Sequence, residues 1–111
     1  MKYWLLLLSC LIFLRVQALE YVKQYEDAQI CVSRVKIMPG EKIGAHYDEH
    51  QQMVKALQGG ILTRREADGS TTNVEFPTGK WTFRPAETSD KMHEVANETE
   101  EPIELITVQL K

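Results

Sequence analysis

Turn-forming residues recur along the chain from residue 39 onward and limit the length of any regular element between them. The strongest turn signals are Pro39-Gly40, Gln58-Gly59-Gly60, Asp68-Gly69-Ser70, Pro77-Thr78-Gly79 and the acidic stretch 99–102. An Asp-Gly pair tolerates the positive φ angles that a tight hairpin needs. The segments between the turns are short and show no sustained helical period. The pattern therefore predicts an all-β domain, built as an antiparallel sandwich or barrel.

The expected strands cover residues 30–38, 45–57, 61–67, 71–76, 80–84, 92–98 and 103–110. We expect the strand at 45–57 to be broken or bulged near its middle, and residues 19–29 to form a polar lead-in without a clear period. In the last strand, Ile103 and Leu105 face one way, whereas Ile106 and Val108 face mainly the other. Apolar residues on both faces predict a core on one side and a partner subunit or a terminal segment on the other.

Residues 1–18 have the features of a cleaved signal peptide. Lys2 precedes an apolar run at 3–14, which is too short to span a bilayer comfortably. The tetrapeptide Arg-Val-Gln-Ala follows and places small or aliphatic residues where a signal peptidase reads the chain. We expect cleavage after Ala18, one domain at 19–111, a secreted or periplasmic location and no stable membrane anchor in the mature protein. A buried N-terminal helix or an uncleaved anchor is the alternative.

The charge balance excludes some partners. Loss of Lys2 and Arg15 with the leader lowers the formal net charge from −3 to −5. An acidic protein with scattered basic residues is a poor candidate for binding nucleic acid or an anionic membrane. Only Cys31 remains after cleavage, so no internal disulfide can form, and we expect this cysteine to be a small buried residue.

The histidines point to a binding site. His46, Asp48, His50 and Gln52 are spaced two apart, so that in an extended strand all four side chains would leave the same face. Such a polar row is costly to bury unless it binds a metal, a polar ligand or water. His93, near the start of a later strand, would complete the cluster. The sequence therefore predicts a metal or ligand site made by these five residues.

Residues 40–59 resemble the first motif of the cupin superfamily. Gly40, His46 and Gly59 match that motif at the expected spacing. Asp48 stands where a second histidine is expected, and Gln52 stands where a glutamate is expected.

Matches to the second cupin motif occur at Gly79, Pro85, His93 and Asn97, whereas Glu87 replaces a glycine and the run at 88–92 is longer. The resemblance covers roughly residues 32–110. Within the superfamily it is greatest to small stand-alone cupins of the conserved-barrel cupin 2 type, like those associated with β-alanine degradation.

The resemblance implies a small antiparallel jelly-roll barrel of six to eight strands and a divalent transition metal such as Fe, Mn, Ni, Cu or Zn. The implied ligands are His46, His93 and either Asp48 or His50, with Gln52 as a weak ligand or a group that orients the substrate. Residues expected at the pocket are Trp81, Phe83 and Asn97. Asn97 also begins an Asn-Glu-Thr glycosylation sequon, for which we favour a structural role of the asparagine.

The functional expectation is an exported cupin that binds a divalent metal, a small polar molecule or both inside the barrel, and that forms a homodimer. Lys80 and Arg84 could supply positive charge to an anionic substrate near the mouth. Cupins with similar ligand sets perform isomerisation, oxygenation and simple binding, so the resemblance leaves open whether the chain is an enzyme. The alternative is a metal-free, degenerate cupin that acts as a binding or structural module.

Overall fold

The computed structural model describes residues 20–46, 48–87 and 91–111, without the side chains of residues 45 and 46. The expected signal peptide at 1–18 lies outside the described residues. The described part forms nine strands: β1 (Glu20–Glu26), β2 (Ile30–Ile37), β3 (Lys42–His46), β4 (Gln52–Gln58), β5 (Gly60–Glu66), β6 (Thr71–Phe76), β7 (Trp81–Arg84), β8 (His93–Ala96) and β9 (Ile103–Leu110). Within that part, no helix has the length and apolar character needed to cross a membrane.

The strands form two antiparallel sheets, which confirms the all-β prediction. One sheet has the strand order β1-β2-β9-β4-β7, and the other has the order β3-β8-β5-β6. Side chains from both sheets meet in one apolar core, which contains Val35, Ile37, Val54, Ala56, Leu62, Phe76, Ile103 and Leu105. Buried residues alternate along β2, as expected for a strand with one face on the core.

Two segments differ from the sequence-based expectation. Residues 20–26 form an edge strand that pairs with β2, although every side chain in it is exposed. An exposed edge strand contributes backbone hydrogen bonds but no buried face, so it has no reason to show an alternating pattern. The segment at 45–57, expected as one strand with a break or bulge near its middle, is in fact divided between two strands, β3 and β4, which belong to different sheets. The chain therefore crosses between the sheets in the middle of the predicted polar row.

Gly59 fixes the connection between β4 and β5. A Cβ atom at this position would lie 2.0 Å from the Phe76 carbonyl oxygen and 2.6 Å from the Thr78 nitrogen. The Gly59 N–H also donates a hydrogen bond to Thr78 Oγ1 at 2.8 Å. Only glycine allows the backbone to pass this close, and the close passage sets the position of two strands that contribute residues to the cavity described next.

Candidate functional site

A cavity of about 130 Å³ lies between the two sheets. This volume is well above the roughly 15 Å³ that one water molecule needs, so the cavity has room for a small organic molecule. Most of the side chains that line it are apolar. The polar or charged residues in the lining are Asp48, Gln52, Arg64, Arg84, His93 and Thr107.

His93, Asp48 and Glu87 form a compact cluster at this cavity, with one ligand atom from each residue within 4.8 Å of the others. His93 Nε2 lies 3.6 Å from Asp48 Oδ2, and His93 Nδ1 lies 3.5 Å from Glu87 Oε1. Both distances exceed those of ordinary hydrogen bonds. The distance from Nε2 to Asp48 is close to the separation of about 3.4 Å between two atoms that bind one ion tetrahedrally at about 2.1 Å.

The three side chains differ in their depth. The His93 side chain is only 1% exposed, whereas those of Glu87 and Asp48 are 18% and 33% exposed. The imidazole therefore lies at the inner end of the cluster, and the carboxylates lie nearer to the solvent.

Strand ends and connections position these residues. His93 begins β8 and pairs in register with His46 of β3 and Glu66 of β5. Asp48 follows β3, and Glu87 follows β7. The backbone N–H of Glu87 donates a hydrogen bond to the Asp48 carbonyl oxygen at 2.8 Å, which holds the two connections together beside His93.

Arg64 supplies the positive charge next to this cluster. It donates hydrogen bonds to Glu87 Oε1 at 3.0 Å and to Glu66 Oε1. Burial by itself lowers the pKa of the Arg64 guanidinium, but the hydrogen bonds and charges of the two glutamates outweigh it, and the pKa is raised. The same hydrogen bond from Arg64 lowers the pKa of Glu66. Arg64 is therefore already compensated by two carboxylates.

The structure places the predicted ligand residues at different positions relative to the cavity. Asp48, Gln52 and His93 line the same cavity. The backbone of His46 lies directly opposite His93, and its side chain is outside the described part. His50 does not line the cavity: its side chain is 38% exposed, and Nε2 lies 3.6 Å from Glu49 Oε1. The expected shared strand face does not exist because the chain changes sheets after β3.

Trp81 and Phe83, expected at the pocket, are 51% and 53% exposed and do not line the cavity. Thr82 pairs with the buried Val54, so Thr82 and Arg84 occupy the inner face of β7. The two aromatic residues therefore lie on the outer face. The prediction identified their common face correctly but assigned that face to the wrong side of the sheet.

Asn97 is fully buried, yet it does not line the cavity that holds His93. It borders a second cavity of about 270 Å³, together with Lys42, Thr63 and Arg65 on the outer side of the four-stranded sheet. Its amide nitrogen donates hydrogen bonds to the carbonyl oxygens of Ile37 and Glu101, both at 2.8 Å. The described contacts thus give Asn97 a structural role, in place of the predicted pocket role.

Sequence reasoning missed two members of the site. Glu87 was noted only as a departure from a glycine in the second motif, although it follows Pro85, where β7 has ended and the chain turns toward Asp48. Arg64, within the strand expected at 61–67, has no predicted role in the site. It lies two residues after the apolar Leu62, a spacing that places both residues on one strand face and could have indicated its inward position.

Comparisons of sequence and of structure give different results. No family model matches the sequence, and no curated protein matches it. Solved structures, however, match the fold over most of the chain. A cupin domain from Bordetella pertussis Tohama I is similar with a TM-score of 0.73 and 18% identity, over 86% of this chain and 95% of that one.

Two further structures agree with this match. An RmlC-like cupin with a double-stranded β-helix fold from Methanocaldococcus jannaschii has a TM-score of 0.64 and 15% identity, over 85% of this chain and 81% of that one. A cupin superfamily protein from Desulfitobacterium hafniense DCB-2 has a TM-score of 0.60 and 13% identity, over 84% and 77%. Together with the two antiparallel sheets and the cavity between them, these likenesses show that the described part of the chain folds as a small cupin domain.

Proposed function

We propose that the protein binds a divalent metal ion and a small polar molecule in the cavity between its sheets. The observation that carries the proposal is the cluster of Asp48, Glu87 and His93 at that cavity. Two carboxylates and an imidazole suit divalent transition metals, including Fe, Mn, Ni, Cu and Zn. The separation of 3.6 Å between His93 Nε2 and Asp48 Oδ2 also fits two ligands of one ion.

His93 Nε2 and Asp48 Oδ2 are the pair that would hold the ion, because the two atoms lie 3.6 Å apart and both residues line the cavity. Glu87 lies on the other side of the imidazole, near Nδ1, where a carboxylate commonly orients a ligating histidine. Gln52 lines the cavity as a further oxygen donor. The position of His46 opposite His93 in the β3–β8 pair supports it as an additional ligand. A bound ion would supply Lewis-acid or oxygen-activating chemistry at this position.

The proposal predicts that Asp48→Asn and His93→Gln weaken metal binding by at least about tenfold, because each removes a ligand of the ion. Titration of the purified protein with Mn²⁺ and Zn²⁺ by isothermal calorimetry measures the affinity. Glu49→Gln is the matched control. It makes the same chemical change one residue away from Asp48, on a side chain that is 64% exposed.

Circular dichroism and a thermal melt establish that each variant is folded before its affinity is compared. The proposed site is wrong if the wild-type protein binds the metal and the two site variants bind it equally well. It is also wrong if Glu49→Gln is the variant that loses the ion.

A metal-free binding module is the second candidate, and one feature favours it. Each nitrogen of His93 faces a carboxylate, and Arg64 already compensates Glu87. The three side chains thus already have polar or charged neighbours in the protein without any ion. In that case the wild-type protein takes up neither metal in the calorimetric titration, and the cavity serves a polar organic ligand alone.

We also propose that the protein is exported and that residues 1–18 are removed. The basic residue, the short apolar run and the small residues before Leu19 support this proposal. Sequencing the N-terminus of the protein recovered from the producing cells should give Leu19 as the first residue. A protein that retains Met1 and stays in the cytosol would contradict export.

Finally, we propose that the protein forms a homodimer through the outer face of the five-stranded sheet. On this face one apolar residue from each strand aligns in register, and we call Tyr25, Val32, Val108, Met53 and Phe83 the apolar row. Tyr25 and Phe83 are each 53% exposed. Continuous apolar surface of this kind marks interaction sites, and two-fold dimers are the commonest assemblies.

A further inference from the structure

Arg84 presents a positive charge that the cavity does not compensate. It ends β7, pairs in register with Gln52 and lines the cavity together with Asp48 and His93. No residue in the described ranges accepts a hydrogen bond from Arg84 or forms an ion pair with it. Arg64 in the same lining differs, because Glu66 and Glu87 both accept its hydrogen bonds. The guanidinium of Arg84 is therefore available to a ligand.

The charges around the cavity favour an anion once an ion is bound. The carboxylates of Asp48, Glu66 and Glu87 oppose the guanidinium groups of Arg64 and Arg84, which leaves one net negative charge. A divalent ion changes this to one net positive charge. Because Arg64 is compensated, the excess positive charge resides on the ion and on Arg84, and a singly charged anion would neutralise it.

The remaining surface restricts the shape of that anion. Apolar side chains such as Val74, Phe76 and Leu105 line most of the cavity, and Thr107 and Gln52 are its neutral polar groups. A guanidinium matches a carboxylate with two parallel hydrogen bonds. We infer that the protein binds a small monocarboxylate whose carboxylate contacts Arg84 and whose short apolar body occupies the rest of the cavity. This inference rests on the proposed function, because it names the class of molecule held beside the metal.

The test uses butyrate as the probe and butyramide as its neutral counterpart. The Mn²⁺-loaded protein should increase the transverse relaxation rate of the butyrate protons in a titration followed by ¹H NMR, and it should affect butyramide much less. Arg84→Gln should lower the butyrate affinity at least about tenfold, because it removes a charged hydrogen-bond pair. The affinity for Mn²⁺ should be unchanged. Arg65→Gln is the matched control, since Arg65 lies on the outer face of β5.

The outcomes separate this inference from the proposed function. If the protein binds Mn²⁺ but Arg84→Gln binds butyrate as well as the wild type does, the inference is overturned and the metal site stands. The same holds if butyramide binds as tightly as butyrate. If neither the wild-type protein nor any variant binds Mn²⁺, the metal proposal fails. The butyrate titration is then repeated on the metal-free protein and followed by ligand line broadening. A tenfold loss of butyrate affinity in Arg84→Gln, but not in Arg65→Gln, then supports the inference. Equal butyrate affinity in Arg84→Gln and the wild type overturns it.

Discussion

Asn97 uses both polar atoms of its side chain to join three parts of the chain. Its amide nitrogen donates hydrogen bonds to the carbonyl oxygens at the end of β2 and in the turn before β9. Its Oδ1 accepts hydrogen bonds from the Thr99 backbone N–H at 3.0 Å and from the Thr99 hydroxyl at 2.6 Å. The sequon that begins at Asn97 is therefore occupied by structural contacts in the folded protein, and its amide is inaccessible to a glycosyltransferase.

Asn97→Asp should destabilise the protein by about 3 kcal/mol, because an oxygen would then face two carbonyl oxygens in a buried position. Asn73→Asp is the control: Asn73 is exposed, and its Oδ1 accepts a single long hydrogen bond of 3.5 Å from Thr63. Urea denaturation of both variants measures the free energy of unfolding. Similar losses in the two variants would show that the buried amide of Asn97 has no special role.

At the scale of strands, the sequence predicts correctly those strands whose ends are set by neighbouring turn residues. The strand at 71–76 begins after an Asp-Gly-Ser turn and ends at Pro77, and the structure has it at the same residues. The strand at 103–110 agrees for a similar reason. Turn residues define both ends of the first strand and the start of the second, without reference to any distant part of the chain.

The two sheets could not be derived in the same way. An alternating pattern identifies a strand face but not the sheet that the strand joins, because that choice depends on pairing with residues far away in sequence. The predicted row from His46 to Gln52 was therefore divided between β3 and β4. Asp48 and His50 both lie in the segment that crosses between the sheets, yet only Asp48 lines the cavity together with Gln52 of β4.

The assignment of the faces of β7 was wrong for a related reason. Trp81 and Phe83 are the large apolar residues of this strand, and hydrophobicity alone assigns them to the interior. The pairing of Thr82 with Val54 shows the reverse. When the outer face of a sheet is also apolar, hydrophobicity no longer distinguishes the inner face from the outer face. The same long-range pairing brings Glu87 to His93, which no local pattern indicates.

At the scale of the whole molecule, the apolar row predicts a dimer. Light scattering coupled to size-exclusion chromatography should give the wild-type protein twice the mass of one chain. Phe83→Asp should give a single chain, because it places a charge in the apolar row that the proposed interface buries. Ile61→Asp is the control, since Ile61 is 40% exposed on the four-stranded sheet and should leave the dimer intact.

A wild-type protein that elutes as a single chain at micromolar concentrations would contradict the dimer. Dissociation by Ile61→Asp but not by Phe83→Asp would place the interface on the other sheet. Either result leaves the metal site untouched, because the apolar row and the cavity lie on opposite faces of the five-stranded sheet.

The hydrogen bond from the Glu87 N–H to the Asp48 carbonyl oxygen joins two connections that follow strands of different sheets. The cluster of Asp48, Glu87 and His93 therefore exists only when both sheets are in place and face each other. A chain that has lost one of the two sheets would lose the proposed metal site as well.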